Sequence, residues 1–141
     1  PRIPATDLAS AFRKKQELTA EQGLGMYVVT QFSFAPSRVV EYCAQLARSA
    51  PEVSIYVGVA GPTDPVALAR YAQRCGVSAS LRALRNLGSG IAQLVTHSDP
   101  HDQLVTLARY SMQREPSNVV GVHIYSFGGA MRTASWIREL I

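Results

Sequence analysis

An α/β fold, with a parallel sheet and helices outside it, is predicted by three features of the sequence. Strand-forming runs alternate with stretches of helical periodicity, a proline sits where three of the helices begin, and glycines mark several of the turns between elements. The chain has 141 residues, a one-domain length, and its 47% apolar and 17% charged residues suit a globular protein with a core rather than a disordered one.

Taken in order, residues 6–22 read as a polar helix that Gly23 and Gly25 stop, and residues 26–34 follow as a strand. From Pro36, the apolar positions Val39, Cys43, Leu46 and Ala50 recur at helical spacing. Proline suits that first turn because no amide donor is needed there. Residues 53–59, "VSIYVGV", form the next strand. "AGPTDP" then turns the chain, Asp64 caps, and Pro65 starts a helix whose Leu68, Tyr71, Ala72 and Cys75 share a face before Gly76 ends it. Residues 77–80, "VSAS", suggest a short strand, and 81–95 an ambiguous helical stretch interrupted by "GSG" at 88–90. Asp99 and Pro100 repeat the cap-and-first-turn pair, with Leu104, Leu107, Ala108 and Ser111 aligned behind them. "VVGVHIYSF" at 119–127 is a strand, Gly128 and Gly129 turn the chain, and Ala130, Ala134, Ile137 and Ile141 lie on one side of a final helix.

Three or four successive βα units imply a parallel sheet, either doubly wound or closed as a barrel. No GxGxxG follows a strand, which disfavours the dinucleotide-binding version and leaves the barrel preferred. A complete barrel takes ~250 residues and eight strands, so this chain offers about half of one. Half a barrel leaves two strand edges unpaired and one side of its core wet unless something covers them.

The net charge is +4, but the 14 Lys and Arg are spread along the chain and form no block. With no aromatic-plus-basic stripe, a mildly basic surface or a phosphate-bearing ligand is expected rather than nucleic acid. Cys43 and Cys75 fall on apolar helical stripes as small hydrophobes, which fits a reducing cytoplasm. No apolar run reaches the ~20 residues of a membrane span, and no charged-then-apolar leader opens the chain. The first residue is proline rather than methionine, which suggests a missing upstream segment.

Among polar candidates, His97, Asp99, His101 and Asp102 have no recognised metal-ligand spacing, and Asp99 is explained as a cap, so no metal is expected. His123, between Val122 and Ile124, reads as a satisfied core histidine. "FGGAMRT" reads either as a phosphate site at a helix N-terminus or as a tight turn that needs glycine. In the first strand Val28, Thr30, Phe32 and Phe34 fall on one side, suited to lie beneath a helix. Tyr27, Val29, Gln31 and Ser33 fall on the other, which becomes polar at the carboxyl end where a barrel holds its ligands. An inward Gln31 offers a planar set of one acceptor and two donors to a flat heterocycle. The spacing is equally met by a glutamine bonded to neighbouring backbone.

Four segments, "VVTQFSF", "IYVGVAGP", "LARYAQRCGV" and "GVHIYSF", resemble in order and approximate spacing the second half of the catalytic barrel of the methylenetetrahydrofolate reductase family. The family's segments read TQFFFD, PGI-x-P, a helix carrying an aromatic, and FHFYT. The resemblance implies the second half of a (β/α)8 TIM-type barrel. Residues 1–141 would supply about the last four βα units, and the first half would be absent. It implies an FAD-dependent oxidoreductase that interconverts 5,10-methylenetetrahydrofolate and 5-methyltetrahydrofolate, with NADH or NADPH as electron donor. By the same resemblance Gln31 hydrogen-bonds the pterin, Tyr71 covers a flat part of the folate, and Asp7 with Lys14, or Lys15 in a register shifted by one, meets the FAD. The implied partners are folate and the N-terminal half of the barrel, in the same or a separate chain; a homo-oligomer is compatible, and neither nucleic acid nor membrane is expected.

The departures are specific. Ala35 replaces an acid, the segment from Val57 to Gly61 lacks the family's first proline, and Gly128 and Gly129 stand where an asparagine and a folate-contacting arginine are usual, with Arg132 three residues late. The family's proton-donating glutamate and flavin-tuning acid belong to the absent half, so the chain carries no catalytic residue and is expected to be inactive alone. Two alternatives remain: a phosphate-ligand-binding (β/α) barrel enzyme that uses Gly128, Gly129 and Arg132, and a non-catalytic folate-binding half-barrel.

Overall fold

In the computed structural model, residues 3–76, 100–113 and 117–140 are described. The elements are α1 (Ala5–Glu21), β1 (Tyr27–Val29), α2 (Pro36–Ser49), β2 (Ser54–Ala60), α3 (Pro65–Arg74), α4 (His101–Gln113), β3 (Val119–Tyr125) and α5 (Ala130–Leu140). The three strands pair in parallel in the order β1-β2-β3, with Tyr27 opposite Ser54 and Gly58 opposite His123. The α/β class and the parallel sheet are as the sequence predicts.

The local causes are those read from the sequence. Pro36 opens α2 in its first turn, and the Asp64 carboxylate accepts hydrogen bonds from the amides of Val66 (3.0 Å) and Ala67 (2.9 Å) at the start of α3. Gly23 and Gly76 adopt left-handed φ values of 65° and 72° just beyond α1 and α3, where a side chain would be strained.

Burial separates the two faces of the sheet. Ile55, Val57 and Val59 are fully buried and pack with Val39, Cys43 and Leu46 of α2 and with Leu107 and Tyr110 of α4. On the opposite face Tyr27 (63% exposed), Val29, Tyr56 and His123 are exposed. Among the described residues strand order advances in one direction without reversal, and the second face of β2 is open at Tyr56 but closed farther along, where Gly58 is buried and Ala60 packs into a second core. Ordinary parallel sheets are covered on both faces, so the bare stretch of Tyr27, Val29 and Tyr56 is the feature of the fold that most needs explaining.

Several expectations are corrected. The first strand spans Tyr27–Val29 rather than 26–34, because the chain leaves the ladder at Thr30 for reasons given below. Cys75 is exposed beyond the end of α3 rather than buried on its stripe, whereas Cys43 is fully buried. His123 is exposed and is not a core group. In α5 the buried residue is Thr133, while Ala134 and Ile137 are half-buried. No residue of α1 is buried; Phe12 alone of this helix packs against the main core, and Leu8 and Leu18 are more than half exposed. The expected strand at 77–80, the helical stretch at 81–95, His97 and the Asp99 cap lie outside the described residues. Among the described residues no helix is long and apolar enough to cross a membrane.

Candidate functional site

At the carboxyl end of β1 the ladder is broken by a side chain. The Thr30 amide still donates to the Tyr56 carbonyl (3.0 Å), but the next rung is not made by its own carbonyl. Instead the Gly58 amide donates to the Thr30 hydroxyl at 2.8 Å, and that hydroxyl donates to the Gln31 carbonyl at 3.2 Å. The Thr30 carbonyl, out of the ladder and lying over Gly58, accepts from the Tyr125 hydroxyl at 3.1 Å. Tyr125 belongs to β3, so its side chain crosses the bare side of β2 to reach β1. Gly58 makes the crossing feasible: a Cβ there would lie 2.9 Å from Cε2 of Tyr125 and 2.9 Å from the Gln31 carbonyl carbon, and would overlap the Thr30 carbonyl oxygen. A glycine inside a strand marks such a close backbone approach.

Beside this clasp the chain packs a second core. Phe32, Phe34, Leu68 and Ala72 are buried together, with Ala60, Tyr125 and Phe127 against them. Its rings are in contact: Phe32 meets Phe34 edge-on at 5.7 Å and Phe127 edge-on at 4.9 Å, and Phe127 lies over Tyr71 at 4.8 Å with 31° between planes. Residues 31–34, once out of the ladder, are held by burial of the two phenylalanines.

Gln31 is exposed, and its Oε1 accepts from the adjacent Phe32 amide at 3.2 Å. The amide oxygen thus rests on neighbouring backbone, as one of the two sequence readings has it, and the side chain is exposed rather than buried under the helices. Tyr71 is half-buried on α3, with Phe127 over its ring. The structure brings Gln31 and Tyr71 to the same end of the sheet through the rings of Phe32 and Phe127.

The α1 candidates lie apart from these. Asp7, Lys14 and Lys15 are all exposed, and among the described residues no hydrogen bond or ion pair links them to Gln31 or Tyr71. The two lysines differ in surroundings. Lys15 lines a groove of about 730 Å³ between α1, β1 and α2, with Phe12, Tyr27, Val29, Tyr42 and Leu46. Lys14 lines a smaller, polar groove with Thr6, Ser10, Arg13 and Glu17. Partial burial raises the Tyr42 phenol above its ordinary value, with Cys43 adding to it. Gly128 (φ 83°) and Gly129 form the turn into α5, the Gly129 amide donating to the Ser126 carbonyl at 2.8 Å. Arg132 is exposed on the first turn of that helix. Among the described residues no three of His, Cys, Asp and Glu come together as a metal cluster would require.

Sequence reasoning missed Thr30, Gly58, Tyr125 and Phe127 as one constellation. Gly58 inside an otherwise β-branched strand was the available signal; the crossing by Tyr125 had none, since it depends on which strands are neighbours. No protein-family model matches the sequence.

Proposed function

We propose that this chain is the folate- and FAD-contacting second half of a (β/α)8 barrel of the methylenetetrahydrofolate reductase kind, interconverting 5,10-methylenetetrahydrofolate and 5-methyltetrahydrofolate once the first half is present. With no matching family model, the family rests on the order of four short motifs. The observation that carries the reading is the bare face of the sheet. Among the described residues, three parallel strands in unreversed order, with α2 and α4 on one side and exposed Tyr27, Val29, Tyr56 and His123 on the other, suit the inner wall of a barrel whose opposite wall comes from elsewhere. Gln31, at the carboxyl end of β1, lies where such barrels hold substrates.

The chain's own residues would act by binding and orienting. The Gln31 amide, released from the Phe32 amide, would pair with the donor and acceptor edge of the pterin, and the clasp of Thr30, Gly58 and Tyr125 fixes the backbone from which it projects. Tyr71 would cover a flat part of the folate. FAD, when bound and reduced by NADH or NADPH, would supply the hydride that, with cleavage of one C–N bond of the methylene bridge and a proton taken up by the freed nitrogen, leaves a methyl group. The donor set on α1 fits a dinucleotide at Lys15, whose groove pairs one cation with an apolar, aromatic wall. Lys14 and Asp7 are left on more polar, outward positions.

The test is made in the protein with its upstream half restored, by following oxidation of 5-methyltetrahydrofolate with a dye acceptor. Gln31→Ala is expected to weaken folate binding at least tenfold, the scale of a lost well-aligned hydrogen-bonding pair, while FAD absorbance is retained. Equal loss of both ligands, or no folate oxidation by the intact protein, overturns the proposal.

A further inference from the structure

Phe127 is the one non-glycine residue among those described with a left-handed backbone, at φ 45°. That region is unfavourable for a bulky side chain, and such outliers persist where the surroundings hold them and cluster at sites that bind ligands. Here the surroundings are aromatic. The Phe127 ring lies 4.8 Å from Tyr71 at a 31° tilt, meets Phe32 edge-on at 4.9 Å, and runs nearly parallel to Tyr125 at 6.0 Å. Yet Phe127 is only half-buried, and it is followed by Gly128 and Gly129, which can take up a change of backbone path. A ring is therefore held at the mouth of the sheet, over the half-buried face of Tyr71, by a residue whose own backbone would relax if it left.

We infer that Phe127 is the resident occupant of an aryl-binding slot walled by Tyr71 and Phe32, and that it sets the affinity of the site by having to be displaced when a planar ring of a ligand enters. The inference rests on the assignment of Tyr71 to ring binding. It adds that the slot recognises a single uncharged aromatic ring through stacking on one side and an edge contact on the other, the geometry Phe127 now satisfies. Displacement moves the ring outward about the Gly128 and Gly129 turn and lets residue 127 return to an ordinary φ. Because ligand competes with an internal ring, measured affinity is the intrinsic affinity reduced by the fraction of chains in which the slot is open.

The protein with its upstream half restored is titrated with p-aminobenzoylglutamate and, separately, with 5-methyltetrahydrofolate, by quenching of tyrosine and tryptophan fluorescence. Phe127→Gly removes the ring and tolerates the left-handed backbone, and Phe127→Asn is a second variant that does the same. Both are expected to bind p-aminobenzoylglutamate about tenfold more tightly than the parent, as for a slot open about one part in ten. Adding Tyr71→Ala should abolish the gain. Folding is checked by near-ultraviolet circular dichroism. Folded variants that bind no more tightly, a gain that survives Tyr71→Ala, or failure of both variants to fold would each overturn the inference, the last by showing that the ring is a core element. A gain for the aryl probe with no binding of 5-methyltetrahydrofolate by any variant leaves the slot standing and defeats the folate proposal. Equal binding of 5-methyltetrahydrofolate by parent and variants does the reverse.

Discussion

Gly58→Ala introduces one methyl group into the clasp, and its consequence can be worked from the atoms it would meet. The new Cβ would sit 2.9 Å from the Gln31 carbonyl carbon and 2.9 Å from a Tyr125 ring carbon, and would overlap the Thr30 carbonyl oxygen. Two of these three neighbours are backbone and cannot rotate aside. The Thr30–Gln31 peptide must therefore move away from β2, which breaks the bond from the Gly58 amide to the Thr30 hydroxyl and that from the Tyr125 hydroxyl to the Thr30 carbonyl. Two such bonds contribute roughly 2 kcal/mol, and the overpacking adds about 1–3 kcal/mol. The total, about 3–5 kcal/mol, is a large part of the stability of a domain this size. Urea unfolding followed by far-ultraviolet circular dichroism reads it as a lower midpoint at unchanged slope. Tyr125→Phe, which deletes one bond and keeps the ring, should lose only about 1 kcal/mol. A Gly58→Ala protein within about 1 kcal/mol of the parent would refute the reasoning, because it would mean that the close approach of β1, β2 and the Tyr125 ring is not maintained in solution.

The two thiols should behave differently. Burial pushes Cys43 up to about 11 from an ordinary 9.0, and Cys75 is exposed, so a maleimide at pH 7.5 should label one cysteine in the native chain and two in urea. Because Cys43 holds its proton more tightly when folded, its contribution is fully present below about pH 9 and is lost as pH rises toward 11. The fall in urea midpoint over that window should be smaller in Cys43→Ala than in the parent after correction for the cavity. Asn118 is 9% exposed; its side-chain amide nitrogen donates to the Val53 carbonyl at 2.9 Å, and its main-chain carbonyl accepts from the Ile55 amide at 2.7 Å, while its Oδ1 is buried without a partner. Asn118→Ala leaves the Val53 carbonyl short of a partner and should cost about 1–3 kcal/mol by the same urea measurement; a change under 0.5 kcal/mol, well below that range, would show that the bond contributes nothing.

Much of the fold was legible because its signals are local. Proline at a first turn, Asp64 as a cap, and glycines beyond α1 and α3 act within a few residues, and each stands where the sequence places it. The alternation along the first strand was legible only as far as the ladder runs: Val28 turns toward the main core and Tyr27 and Val29 outward, whereas Phe32 and Phe34, beyond the ladder, are buried in the second core and not beside Val28. The length of that strand was not. Residues 26–34 have strand composition throughout, but the ladder ends because a threonine hydroxyl takes the place of a carbonyl, an event that depends on Gly58 of the next strand. Likewise Cys75 has the right helical spacing to be buried, but it caps α3 one residue past its end, immediately before the chain turns at Gly76. The candidate site was half legible: the sequence gives a reason to notice Gln31 and Tyr71, whereas Phe127, whose ring meets Tyr71 and Phe32, comes from the turn after β3 and could not be read from spacing.

The unreversed strand order also sets a timetable for assembly. Tyr27 finds Ser54 across a single helix, whereas Ile55 must find Val119 across a stretch more than twice as long. By loop-closure entropy this difference amounts to under ~1 kcal/mol at equilibrium, yet it delays the longer search. The amino-terminal βαβ unit should therefore gather first and wait, with its second strand exposing an unpaired edge, until β3 arrives to close it.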